Sequence, residues 1–135
     1  MGMDKTHLAE LALRAREAAL RAYAPYSKFK VGAALLAEDG RIFTGCNVEN
    51  ASYGLTNCAE RTAVFKGVSE GATRFTALAV AGGEGEVAMP CGACRQVLAE
   101  FLPPEAPVRC VTLDGAVVRD FTVGALLPGT FRLTV

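Results

Sequence analysis

Histidine is nearly absent: His7 is the only one in 135 residues. A metal site built mainly from imidazoles is therefore excluded. His7 itself lies in a helical pattern far from any cysteine and reads as a surface residue rather than a ligand. Net charge is also lacking, because 14 Lys and Arg offset 14 Asp and Glu. Without a basic footprint the chain is not expected to bind a nucleic-acid backbone, and a small, weakly charged ligand fits better. No apolar run is long enough to span a bilayer, and charges interrupt the N-terminal 25 residues every few positions, so no signal-peptide core is present. Gly2 and Thr6 match a myristoylation signal only in part, since Asp4 and Lys5 lead straight into a helix. Repeats, linkers and low-complexity segments are missing too. These absences leave a single domain over 1–135 in the cytoplasm, with no membrane and no nucleic acid as partner.

What is present is a set of local signals for helices and strands. Leu8, Leu11, Ala12, Ala15, Ala18, Ala19 and Ala22 recur at helical spacing, and Pro25 is expected to stop that helix. Residues 30–37 and 41–47 are strand-like segments on either side of Asp39-Gly40, a hairpin turn, and are expected to pair antiparallel. A polar stretch over 49–57 precedes a helix from about 58 to 67, with Thr56 or Asn57 as its expected N-cap and Gly67 or Gly71 to close it. The apolar run 75–81 predicts a strand covered on both faces, followed by a glycine-rich loop. A third helix is expected from Pro90 to Leu102, where Pro103-Pro104 stops it. Strands at 108–113 and 116–121 around Asp114-Gly115, then a short helix in an irregular tail, complete the chain. This order predicts an α/β fold, a three-layer α/β/α sandwich with a mixed five-stranded sheet.

Five cysteines without an export signal favour metal binding or chemistry over disulfides. Cys91 and Cys94 are three apart at a predicted helix start, and Cys58 opens another helix. Exposed N–H groups and the macrodipole at such ends favour thiolates. Three thiolates suit tetrahedral Zn²⁺ and leave the fourth position to water, the arrangement of a catalytic rather than a structural site. Glu60, two residues after Cys58, is too close to be a comfortable fourth ligand but can serve as general base to that water. An acidic residue in a first helical turn also has a purely electrostatic use. Cys46 and Cys110 read as apolar fillers, not ligands.

Cys58-Ala59-Glu60 and Pro90-Cys91-Gly92-Ala93-Cys94 resemble the two zinc motifs of the cytidine deaminase superfamily, with Cys58 replacing the histidine of the more widespread version. The segments PYSKFKVGAAL (25–35) and GCNVENASYGLTNCAER (45–61) extend that likeness to the small homotetrameric nucleoside cytidine deaminases. The resemblance implies one Zn²⁺ per subunit, held by Cys58, Cys91 and Cys94, and hydrolytic deamination of cytidine and 2′-deoxycytidine at C4 in pyrimidine salvage. It implies that the Asn47-Val48-Glu49 motif binds the sugar, that Phe29 packs on the pyrimidine and that Ala59 belongs to the substrate site. It further implies that Glu60 contacts the base while shuttling protons. Phe131 resembles an aromatic that family members contribute to a neighbouring subunit, and Arg61 one that donates to the ligand sulfurs.

Three thiolates on Zn²⁺ carry a net charge of minus one, which makes bound water harder to ionise. The two helix ends, each worth about 0.3–1 kcal/mol, and Arg61 are the expected counterweights. Competing expectations are a related deaminase acting on a nucleotide, a polynucleotide or a blasticidin-type antibiotic, a non-catalytic zinc module, and a redox protein using Cys91 and Cys94.

Overall fold

The structure is a computed structural model that describes residues 5–133, with side chains described from His7 onward, so Gly2 lies outside the described residues. In chain order the elements are α1 (Lys5–Ala19), β1 (Val31–Ala37), β2 (Ile42–Cys46), α2 (Ala59–Ser69), β3 (Phe75–Gly82), α3 (Gly92–Phe101), β4 (Pro107–Val111), β5 (Val118–Thr122) and α4 (Val123–Leu126). A 3₁₀ turn, Tyr53–Leu55, interrupts the segment before α2. The five strands form one mixed sheet in the order β2-β1-β3-β4-β5, parallel only between β3 and β4. The predicted α/β architecture, with helices on both faces, is the observed one.

Alternation along the two central strands sorts the layers. Ala33, Leu35, Leu78 and Val80 point to the side of α2 and α3, where Val64, Leu98, Val108 and Leu126 complete a buried core. Ala34, Ala77, Ala79 and Ala81 point the other way, beneath Leu8, Leu11, Ala12 and Ala15 of α1. Alanines on that face let α1 lie close to the sheet. At Gly32 the approach is closest: a Cβ there would sit 2.0 Å from the Ala15 carbonyl oxygen. On the opposite face Phe75 meets both Phe43 and Phe101 edge to face, with ring centroids 6.3 Å apart in each pair.

Several expected boundaries move, each for a tertiary reason. The first helix ends at Ala19, well before Pro25, because residues 20–22 tighten into i→i+3 turns. That tightening lets the Tyr23 N–H reach the Asn47 carbonyl (3.0 Å) while its own carbonyl accepts from Glu49 N–H (2.8 Å). Neither Thr56 nor Asn57 caps α2, since Asn57 is held extended by two backbone hydrogen bonds with Val48 and Cys58 takes the N-cap. Helix α2 then runs past Gly67 to Ser69, and of the two glycines expected to close it Gly71, at φ 97°, is the one that does. Pro90 precedes α3 instead of opening it, and Cys91 is the N-cap. The last hairpin is shifted: β4 ends at Val111 and β5 starts at Val118. Thr112 and Asp114 spend their side chains on the turn between them, through Thr112 Oγ1 to Asp114 Oδ1 and Ala116 N–H to the same oxygen.

The topology brings two helix starts to one place. Helix α2 runs into β3 through a short turn and α3 leaves it, so both N-termini lie at the carboxyl end of β3, where open α/β sheets bind ligands. Gly45 of β2 sets how closely α2 approaches: a Cβ there would lie 2.6 Å from both the Ala59 carbonyl oxygen and the Ala63 nitrogen. Gly45→Ala must therefore push the first turn of α2 off the sheet. We expect a loss of about 1–3 kcal/mol in denaturant unfolding, together with weaker zinc retention on dialysis. Wild-type stability and metal content in this variant would show that α2 is not positioned there.

Candidate metal centre and active site

Cys58 and Cys91 hold equivalent positions at the two helix starts. Their carbonyls accept the first intrahelical bonds, from Thr62 N–H (3.0 Å) and Arg95 N–H (2.9 Å). Neither side chain is used as a cap, which leaves both thiols available. Cys94, in the first turn of α3, is fully buried. Together these three form the cluster of metal-ligating side chains found among the described residues, with all Sγ atoms within 4.8 Å of one another. Cys58 Sγ lies 3.9 Å from Cys91 Sγ, and Cys91 Sγ 3.5 Å from Cys94 Sγ. Tetrahedral zinc with Zn–S bonds of about 2.3 Å separates its sulfurs by about 3.8 Å. The donor set and its spacing therefore fit zinc. Cys46 and Cys110 stand outside the cluster, and burial pushes the Cys110 thiol up to about 12, consistent with an apolar filler. His7 is exposed on α1 and also lies outside it.

The charge around the sulfurs is arranged for a cation. Arg61 Nη2 donates to Cys58 Sγ at 3.2 Å, and its guanidinium is held protonated well above the usual range, first by that bond. Its Nε is buried without a hydrogen-bond partner among the described residues. In the metal-free protein a hydrogen bond from Cys94, followed by Arg61, lowers the Cys58 thiol to about 5. The same bond and burial push Cys94 far up. A dication bound there would displace the protons that the thiols keep.

Glu60, in the first turn of α2, is 4% exposed. Burial, chiefly, raises its carboxyl to about 7, and the Cys58 thiolate adds to the effect. It faces a cavity of about 270 Å³ that also borders Cys58 and Cys91. Ser27, Phe29, Val31, Asn47, Glu49, Thr56, Ala59, Val80, Ala88 and Met89 close its walls. Phe29, Asn47, Glu49, Ala59 and Glu60, which the motifs had singled out, therefore come together here. Val48 does not: its side chain is largely exposed, and its backbone pairs with Asn57 and Tyr23. Phe131 is 70% exposed away from the cavity wall, with its carbonyl fixed by Gln96 Nε2 (3.0 Å).

Asn47 and Glu49 already have internal partners. Asn47 accepts from Val31 N–H (2.9 Å) and donates to the Phe29 carbonyl (2.8 Å). Glu49 accepts from Tyr26 N–H (3.0 Å), Ser27 N–H (3.1 Å) and the Ser27 hydroxyl, which lowers its pKa, the hydroxyl contributing most. Each keeps spare hydrogen-bonding capacity toward the cavity. Ser27, Val31, Thr56, Val80, Ala88 and Met89 were not anticipated in the wall. Ser27 and Val31 carried a usable signal in sharing a segment with Phe29, and Thr56 in sharing one with Asn47 and Glu49.

Residues 5–110 match the family described as the cytidine and deoxycytidylate deaminase zinc-binding region. The cytidine deaminase of Sporosarcina psychrophila is 57% identical over 130 residues, covering 96% of this chain and 92% of that protein. That of Halalkalibacterium halodurans is 52% identical over 129 residues, covering 96% and 95%. Among solved structures, the cytidine deaminase from Burkholderia pseudomallei superposes with a TM-score of 0.83 at 50% identity, covering 96% of this chain and all of that one. The Mycobacterium tuberculosis enzyme gives 0.81 at 50% identity, covering 93% and 98%. By its sequence, its sheet order and its three-sulfur centre, the chain belongs to the zinc-binding cytidine and deoxycytidylate deaminase family.

Proposed function

We propose that this protein is a zinc-dependent hydrolase that converts cytidine and 2′-deoxycytidine, with water, to uridine and 2′-deoxyuridine plus ammonia. The observation that carries the reading is the buried Glu60 carboxyl in one cavity with the three-sulfur cluster. Relatives over 50% identical that are named cytidine deaminases support the substrate. Cys58, Cys91 and Cys94 would hold one zinc per chain, and bound there zinc supplies a water acidified to a pKa of about 7.

The chain's own residues perform the proton work. A carboxyl with a pKa of about 7 is divided between acid and base near neutral pH, as a relay requires. Glu60 takes a proton from the water attacking C4 and passes it to ring N3, then takes the proton of the new C4 hydroxyl and delivers it to the amino group, which leaves as ammonia as the C4 carbonyl forms. Phe29, 48% exposed at the mouth, offers a ring face to the pyrimidine, while Asn47 and Glu49 meet the sugar hydroxyls. Val48 serves that motif through its backbone, and Ala59 lies against the base. Arg61 offsets the excess thiolate charge.

Residues 1–135 act as one catalytic domain, in a cytoplasmic homotetramer of the pyrimidine salvage route. Phe131 reaches a neighbouring subunit's site, which suits an aromatic exposed on one chain alone. The test is a cytidine-to-uridine assay, followed by loss of ultraviolet absorbance, on protein of measured metal content. About one zinc per chain, activity lost on chelation and activity restored by Zn²⁺ are expected. Fully loaded protein that leaves cytidine and deoxycytidine intact would refute the reading.

A further inference from the structure

Residues 25–30, which carry Phe29 to the cavity, are all exposed and have no buried apolar anchor. Hydrogen bonds must set their course instead. Lys28 N–H donates to the Ala24 carbonyl (3.0 Å), and Lys28 adopts φ 62°, an uncommon left-handed conformation for a residue with a side chain. That reversal brings Phe29 N–H back onto Ser27 Oγ at 3.0 Å. The same hydroxyl donates to Glu49 Oε2, while Ser27 N–H donates to Oε1 at 3.1 Å. One hydroxyl thus accepts from the backbone of the residue assigned to the base and donates to the carboxylate assigned to the sugar.

We propose that Ser27 is a positioning residue for sugar recognition: its hydroxyl fixes the Glu49 carboxylate in the rotamer that leaves a lone pair toward the cavity, and ties that rotamer to the placement of Phe29. The proposal rests on the sugar-binding reading of Glu49. Two oxygens offer about four acceptor directions, and three are taken by Tyr26 N–H, Ser27 N–H and Ser27 Oγ. The remaining direction is defined only while the other three are occupied. Removing the hydroxyl frees Glu49 Oε2 to turn and leaves Phe29 N–H without its acceptor. Chemistry at C4, served by Glu60, is untouched.

Steady-state kinetics of Ser27→Ala, Ser27→Thr and Glu49→Gln on cytidine and on 2′,3′-dideoxycytidine test this. Ser27→Ala should raise KM for cytidine about tenfold, the worth of one hydrogen bond to a charged group, with kcat within about twofold. Its KM for the dideoxynucleoside, which has no 2′- or 3′-hydroxyl for Glu49, should rise clearly less than that for cytidine, because only the Phe29 contact with the base is loosened there. Ser27→Thr, which keeps the hydroxyl, should restore the cytidine KM. An unchanged cytidine KM in Ser27→Ala beside a raised one in Glu49→Gln would overturn the proposal alone, as would equal rises for both substrates. An unchanged cytidine KM in Glu49→Gln would remove the sugar-binding reading and this proposal with it. If Ser27→Ala does not fold, Ser27→Cys, nearly isosteric with a weak donor, is held to the same outcomes.

Discussion

Glu60→Gln should retain its zinc and fold yet lose turnover by about 10²- to 10⁴-fold, the usual worth of a positioned general acid–base. The amide fills the same space beside Cys58 but can neither take nor redeliver a proton. Metal analysis and single-turnover measurement of cytidine loss check both halves, and turnover within a few-fold of wild type would remove Glu60 from the chemistry. The substitution has a second signature in the metal-free protein. A carboxyl raised from 4.5 to about 7 by the fold favours its protonated form in the native state. The native state then binds more protons than the unfolded chain between those values, so this group's contribution is full below pH 4.5 and falls as pH rises to about 7. The amide carries no such dependence. Metal-free Glu60→Gln should therefore be more stable than wild type above pH 7, by on the order of 3 kcal/mol from the size of that shift. Denaturant unfolding at pH 5 and pH 8 measures it, and an equal pH response in both proteins would place the carboxyl in solvent.

Cys91→Ala should lose stoichiometric zinc and all measurable turnover. With free zinc about 1,000-fold above the dissociation constant, binding stabilises the wild type by about 4 kcal/mol, and the variant forfeits this. Melting in zinc-containing buffer should then fall by roughly 10–20 °C for a domain of this size. Because Cys91 is the N-cap of α3 and Cys58 that of α2, zinc held there would tie two helix starts together. Cys46→Ser is the control, since its thiol lies outside the cluster beside the Arg21 carbonyl (3.5 Å), and it should keep zinc and activity. A thiol–disulfide function at Cys91 and Cys94 would instead leave Cys58→Ala silent in both zinc content and melting. Zinc retained at one per chain by Cys91→Ala would overturn the three-sulfur site.

The chemistry was legible because it is built from local features. A cysteine at a helix start, another three residues on, and a glutamate in a first turn need only the helix to acquire their geometry. The apolar runs of 31–37 and 75–82, each close to turn signals, likewise mark strands without knowledge of their partners. The helix ends were less legible. Asn57 has good capping chemistry, yet pairing with Val48 draws it into an extended bridge and passes the cap to Cys58. Ala22 continues the apolar face of α1, yet the chain leaves the helix three residues earlier so that Tyr23 can pair with 47–49. Phe131 and Val48, singled out by motif, do not line the cavity of the single chain.

By itself, then, the sequence pointed to the layer architecture through the order of its elements, and to three thiols and a glutamate through short spacings at two helix starts. Only the tertiary structure decided how the far wall of the cavity is built: Asn47 and Glu49 grip the segment from Tyr26 to Val31, and Val80, Ala88 and Met89 close the wall. Those residues come from separate strands and loops, and no local periodicity links them. They meet because α2 and α3 both begin at the carboxyl end of β3, a consequence of strand order and connection that no single segment of the chain contains.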